Sequence, residues 1–202
     1  MSTSYPKKKI DNYFLSNLNE SIEVKKNLYK QKGNFYKLFK IVEKCVERGN
    51  KIFFFGNGGS ASDAQHLATE LTVRYKFNRK AISAISLATD TSAITAISND
   101  FGYKYLFSRQ IYALGKKGDV AIGITTSGKS SNVINAFKVS RKLKIKTIGF
   151  LGGKKSKCEN FCDAYINVPS ITTARIQECH ITIGQILCGL IEEKYKNTEN
   201  RI

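Results

Sequence analysis

Residues 51–66 read Lys51-Ile52-Phe53-Phe54-Phe55-Gly56-Asn57-Gly58-Gly59-Ser60-Ala61-Ser62-Asp63-Ala64-Gln65-His66, and their order decides the fold. A short, unbroken apolar run marks a strand buried on both faces, as in a parallel sheet. A glycine-rich turn follows at once. Beyond it Ala64, Leu67, Ala68 and Leu71 recur at the three-and-four spacing of a helix. Strand, glycine turn and helix in succession make a βα unit with its loop at the carboxyl end of the strand.

The unit recurs downstream. Residues 81–87 predict a strand, 91–97 and 105–114 helices, with Asn99-Asp100-Phe101-Gly102 as a break between the two. Residues 119–124 predict a second buried strand, 125–131 a polar loop and 132–142 a helix. Strands over 146–151 and 164–168 and a long helix over 172–196 complete the pattern. Upstream, 9–31 and 35–46 carry helical apolar stripes, separated by Lys32-Gly33-Asn34. Alternating strands and helices predict an α/β protein with a doubly wound parallel sheet.

The 202 residues suit one domain with some decoration, and 42% hydrophobic against 24% charged residues excludes disorder for the bulk of the chain. The net charge of +17 would attract anions. Its basic residues are scattered in short clusters such as Lys7-Lys8-Lys9 and Lys154-Lys155. With no long basic run and no aromatic-interleaved motif, nucleic acid is not the expected partner. The five cysteines, Cys45, Cys158, Cys162, Cys179 and Cys188, have neither disulfide-framework nor zinc-knuckle spacing. No apolar run reaches membrane-spanning length, the first ten residues lack a secretory apolar segment, and a cytoplasmic location is expected.

Ligands of such sheets sit at the carboxyl ends of the strands, over helix N-termini. Gly56, Gly58 and Ala61 satisfy a relaxed dinucleotide-binding spacing, but Lys76 and Arg79 stand where the acidic partner belongs. No Gly-Lys-Ser/Thr follows within this first loop, so it does not read as a P-loop either. The second loop, Thr125-Thr126-Ser127-Gly128-Lys129-Ser130-Ser131-Asn132, offers five hydroxyls at a helix start. That set suits a phosphate dianion better than a simple cap. His66 and Glu70, four apart, share a helix face and could bind a metal, share a proton or form an ordinary surface pair. Gln177, His180 and Gln185 interrupt the apolar last helix, either as site residues or as a buried network at a subunit interface.

The chain resembles the sugar isomerase (SIS) domain family, and within it the phosphoheptose isomerase group. The resemblance is carried by Gly56 to His66 with Glu70-Leu71, Ser98-Asn99-Asp100-Phe101-Gly102, Thr126-Ser127-Gly128-Lys129-Ser130 and Thr173-Ala174-Arg175-Ile176-Gln177-Glu178. It implies a flavodoxin-like αβα sandwich with a five-stranded parallel sheet. It implies N-terminal helices over 1–50 that pack on the core and the subunit interface, a SIS domain over 51–196 and a polar tail over 197–202. It further implies a homotetramer with active sites between subunits. The implied reaction is reversible isomerisation of sedoheptulose 7-phosphate to D-glycero-D-manno-heptose 7-phosphate through an enediol, supplying nucleotide-activated heptose for lipopolysaccharide or capsule. Carried over by position, Thr125, Thr126, Ser127 and Ser130 would hold the phosphate. Asn57, Gly58, Gly59, Ser60, Asn99, Asp100 and Gln177 would contact the sugar, with Glu70 as the base. Zinc would fall to His66, Glu70, Gln177 and position 185.

At position 185 the chain departs from the family, whose members carry a histidine that doubles as acid/base. Here it is Gln185, and an amide exchanges no proton near neutral pH. Weak zinc binding is therefore expected. The sister SIS group that binds the bacterial replication initiator also lacks that histidine, and a sugar-phosphate sensor is a further alternative. The sister group typically lacks the helix carboxylate that stands here as Glu70, and carries a threonine where this chain has Gly59. Both differences favour the isomerase.

Overall fold

The computed structural model describes residues 4–153 and 155–196, so the expected polar tail over 197–202 lies outside the described residues. Two helices open the chain, α1 (Lys7–Asn27) and α2 (Lys32–Glu47). Strand β1 (Ile52–Gly56) leads into α3 (Gly59–Thr72), and β2 (Ala84–Ser86) into α4 (Thr91–Asp100) and α5 (Leu106–Leu114). Then follow β3 (Val120–Thr125), α6 (Ser131–Lys142), β4 (Lys146–Gly152), β5 (Ala164–Val168) and α7 (Thr173–Tyr195).

All strand pairs are parallel, in the order β2-β1-β3-β4-β5. This is the flavodoxin-like order, whose switch point lies between the first and third strands. Alternate residues of β1 feed two cores. Ile52 and Phe54 pack with α2, α3 and α7, while Phe53 and Phe55 pack with α5 and α6. Both faces are covered, which is why the strand sequences are continuously apolar.

Four boundaries differ from those expected. The break between the first two helices is a 3-10 turn at Leu28–Gln31, and Gly33 lies inside α2. A glycine there costs about 1 kcal/mol of helix propensity without ending the helix. The edge strand β2 keeps three of the expected seven residues. Its approach is used otherwise: the Ile82 amide donates to the Leu71 carbonyl, and Arg79 lies buried under the same turn. Helix α4 continues through Asn99 and Asp100, so the break begins at Phe101. Helix α3 begins at Gly59, inside the glycine-rich turn rather than after it.

Helix α1 has no buried residue and exposes Ile10, Tyr13, Phe14, Leu18 and Ile22. It is tied to α7 by polar bonds: Ser21 Oγ to Glu178 Oε2 (2.7 Å) and Arg175 Nη1 to the Asn17 carbonyl (2.9 Å). All five cysteines are free, and only Cys162 is partly exposed. Burial pushes the thiols of Cys45, Cys158 and Cys188 up to about 12 and raises those of Cys162 and Cys179. Among the described residues, no helix is long and apolar enough to cross a membrane.

Candidate active site

The two loops picked out in the sequence meet at the switch point. Gly56 ends β1 where a Cβ would stand 2.7 Å from the Ile124 carbonyl of the neighbouring strand. Gly58 has φ +57° and ψ −124°, a conformation that a side chain would strain. The bend it makes starts α3 with no side-chain cap. At Gly59 a Cβ would lie 2.5 Å from Gln177 Nε2, so α7 lays this amide on the glycine loop. Asn57 and Asn132 pair reciprocally across the crevice: Asn57 Nδ2 donates to Asn132 Oδ1 (3.0 Å) and Asn132 Nδ2 to Asn57 Oδ1 (2.8 Å). Tyr103 Oη donates to the same Asn57 Oδ1 (2.8 Å), which brings the segment after Asn99 and Asp100 to this mouth. Asn99 and Asp100 are exposed, with Asn99 Nδ2 donating to Asp100 Oδ1 (2.9 Å).

The loop after β3 wraps the N-terminus of α6. Thr125 is buried and its hydroxyl pairs with that of Ser130 (3.1 Å). Ser130 occupies the N-cap position, yet no side chain caps this helix. Ser127 is exposed and its Oγ accepts the Lys129 amide (3.2 Å). Gly128 has φ +60°, and a Cβ there would meet Ser156 Oγ at 2.2 Å. The result is a tight loop of hydroxyls over the positive end of a helix, suited to a phosphate. Ser127→Ala and Ser130→Ala should each weaken sugar-phosphate binding by about 1–3 kcal/mol, the worth of a hydroxyl bonded to a charged oxygen. Calorimetric titration reads this, with the melting temperature unchanged. Unaltered affinity in both variants would place the phosphate elsewhere.

Along α3, His66 Nε2 and Glu70 Oε1 are 2.8 Å apart, with the Glu70 side chain 16% and the His66 side chain 49% exposed. Asp63 shares this face, one turn before His66. Its Oδ2 is buried without a hydrogen-bond partner, and burial pushes the carboxyl up to about 6 against the opposing pull of His66. Helix α7 runs alongside α3. A Cβ at Gly184 would lie 2.4 Å from Leu67 Cδ1, and Cys188 Sγ faces the Leu67 carbonyl (3.8 Å). Gln185 is half-buried and follows Gly184 on α7.

Glu70 stands eleven positions after Gly59, about 16 Å along the helix axis. Within one chain, the His66–Glu70 pair is therefore set well below the mouth where Asn57, Gly59, Gln177 and the hydroxyl loop converge. The four zinc donors implied by the resemblance are likewise spread out: Gln177 lies at Gly59, and Gln185 some 12 Å further along α7. Among the described residues, no group of three or more His, Cys, Asp or Glu is assembled to hold a metal ion. One imidazole, one carboxylate and two neutral amides do not make a good zinc site within a single chain.

His180 belongs to the core. It is fully buried, its Nε2 donates to the Leu151 carbonyl (3.0 Å), and burial pushes its pKa down to about 4. It joins α7 to the end of β4 as a neutral ring. Tyr103 lies outside the motifs quoted from the sequence, and Asn132, at the end of the hydroxyl loop, is given no role there, nor is Asp63. Asp63 stands inside the decisive stretch. The Asn57–Asn132 and Asn57–Tyr103 pairings join residues 75 and 46 positions apart and leave no local signal.

Residues 14–152 match the family model of the SIS domain, and the chain belongs to the SIS domain family. Within it, the similarity is to phosphoheptose isomerases. The chain is 55% identical over 156 residues to the phosphoheptose isomerase of Paramagnetospirillum magneticum, covering 76% of this chain and 81% of that one. It is 43% identical over 186 residues to that of Clostridium acetobutylicum, covering 91% and 95%. The solved phosphoheptose isomerase of Neisseria gonorrhoeae superposes with a TM-score of 0.86 at 38% identity, over 91% of this chain and 99% of that one.

Proposed function

We infer that the chain is an aldose–ketose isomerase that interconverts sedoheptulose 7-phosphate and D-glycero-D-manno-heptose 7-phosphate. The observation that carries this reading is the hydroxyl loop at the N-terminus of α6, joined through Asn57 to a glycine loop whose helix bears Glu70. The loop of Thr125, Thr126, Ser127 and Ser130 anchors the phosphate, while Asn57, Gly58, Gly59, Ser60, Asn99, Asp100 and Gln177 line the path of the sugar hydroxyls. Glu70 takes a proton from C1 of the open-chain ketose while the C2 oxygen gains one, giving the cis-enediol. Return of the proton to C2, with loss of the O1 proton, gives the aldose. Gln185, unable to exchange a proton, orients the substrate oxygens.

The roughly 16 Å of helix between the mouth and Glu70 supports a pocket completed by a neighbouring copy, and the exposed apolar face of α1 supports assembly. We propose the homotetramer with sites between subunits, working in the cytoplasm on the supply of activated heptose. The five reduced thiols suit that compartment. Incubating the purified protein with sedoheptulose 7-phosphate and following the anomeric region by NMR tests the activity. Appearance of the aldose signal is expected, and its absence at high enzyme concentration would refute the reading.

We propose that zinc is an accessory ion held weakly at His66 and Glu70, because a neutral amide at position 185 is a poorer ligand than an imidazole. Gln185→His should tighten zinc and raise turnover. Zinc content after dialysis and initial rates of both forms check this. Stoichiometric zinc in the native protein, with neither quantity changed by the histidine, would show Gln185 to be a competent ligand or a packing residue.

A further inference from the structure

We propose that Arg79 and Glu192 are positioning residues for Glu70, acting by holding the last turn of α3 in place. The inference rests on the isomerase reading, with Glu70 as its base. Arg79 is wholly buried and Glu192 is 1% exposed. The guanidinium reaches the end of α3 directly: Nη2 donates to the Glu70 carbonyl (2.8 Å) and Nη1 to the Leu71 carbonyl (2.9 Å) and that of Lys80 (3.1 Å). Its Nε lies 3.4 Å from Glu192 Oε1. Glu192, on α7, in turn accepts the backbone amides of Tyr75 (2.7 Å), Lys76 (2.6 Å) and Phe77 (3.1 Å).

The last carbonyls of a helix have no partner within it, and a glycine beyond the end commonly supplies the terminating turn. Helix α3 has none. It ends at Thr72 and its C-cap is Val73, at φ −97° and ψ −83°. The fork of Arg79 replaces the glycine, and its positive charge faces the negative end of the helix dipole. Glu70 sits in this last turn, and its own carbonyl is one of the two carbonyls of α3 that Arg79 grips. The phosphate loop lies at the opposite end of α3. Loosening this turn therefore displaces the base and leaves the phosphate anchor intact.

Arg79→Lys keeps the charge opposite Glu192 but cannot span two carbonyls. It should lower kcat for sedoheptulose 7-phosphate about tenfold, as expected for a base displaced by a fraction of an ångström, with KM changed less than about twofold. Amide hydrogen exchange at Val73 and Tyr75, whose N–H groups bond the Thr69 carbonyl and Glu192, should quicken while that of α6 stays the same. The double variant Arg79→Met/Glu192→Gln leaves no unpaired buried charge and should show the same split. A folded variant with wild-type kcat overturns the proposal. So does a KM that rises as kcat falls, or failure of both variants to fold, which would make the pair a global stabiliser. If the wild-type protein does not turn over sedoheptulose 7-phosphate, the assigned reaction fails instead, and the exchange measurement still reports on the helix end.

Discussion

Glu70→Gln is expected to lower kcat by about 10²–10⁴, the usual worth of a positioned general base. At about 1.4 kcal/mol per decade this is roughly 3–5 kcal/mol of barrier. The substitution keeps the shape of the side chain, and its Oε1 can still meet His66 Nε2, which lies 2.8 Å away in the native pair. What it removes is the carboxylate proposed to receive the C1 proton. Substrate should still bind, because the hydroxyl loop lies at the other end of α3. NMR progress curves give the rate and calorimetry the affinity. Near-normal turnover would take Glu70 out of the mechanism, and lost binding would make it a recognition group.

Phe55→Ala should cost about 3–5 kcal/mol of stability, the range for deleting a buried aromatic ring. Phe55 is fully buried at the end of β1, next to the glycine loop. Its ring packs against Phe107 (centroids 5.3 Å apart) and edge-on to Phe137 (5.7 Å). Gly123 on β3 makes room for both rings, since a Cβ there would lie 2.9 Å from Phe55 and 2.6 Å from Phe137. A cluster shaped this closely cannot collapse into the vacated space. For a chain of this length the loss corresponds to roughly 6–20 °C in melting temperature. A fall of under about 1 kcal/mol would mean that the cluster repacks freely.

The parts of the fold legible in the sequence are those dictated by local chemistry. The run Ile52–Phe55 could only be a strand with both faces covered, and all five expected strands form. The glycine loop was legible because Gly58 needs a positive φ and Gly59 must admit Gln177. Misplaced boundaries came from long-range effects. Strand β2 is shortened because residues 79–82 serve the end of α3, through bonds that no propensity records. His180 looks like a candidate ligand in sequence, but its partner is a carbonyl 29 residues away. The site was legible as two loops and a His–Glu pair. That Gln177 meets the glycine end of α3 was not, because the contact joins residues 118 positions apart and leaves no local signal.

The buried thiols make this chain its own opening clock. Alkylation requires thiolate, and groups held near 12 present almost none at neutral pH. Cys45 lies on the buried face of α2, Cys158 lies in the core between the sheet and α6, and Cys188, on α7, faces α3. A labelling reagent must therefore wait for each of these layers to part. The rate at which each cysteine is tagged, resolved by peptide mass, would report how often that layer breathes. The same shielding should let activity outlast exposure to mild peroxide, which attacks thiolates first.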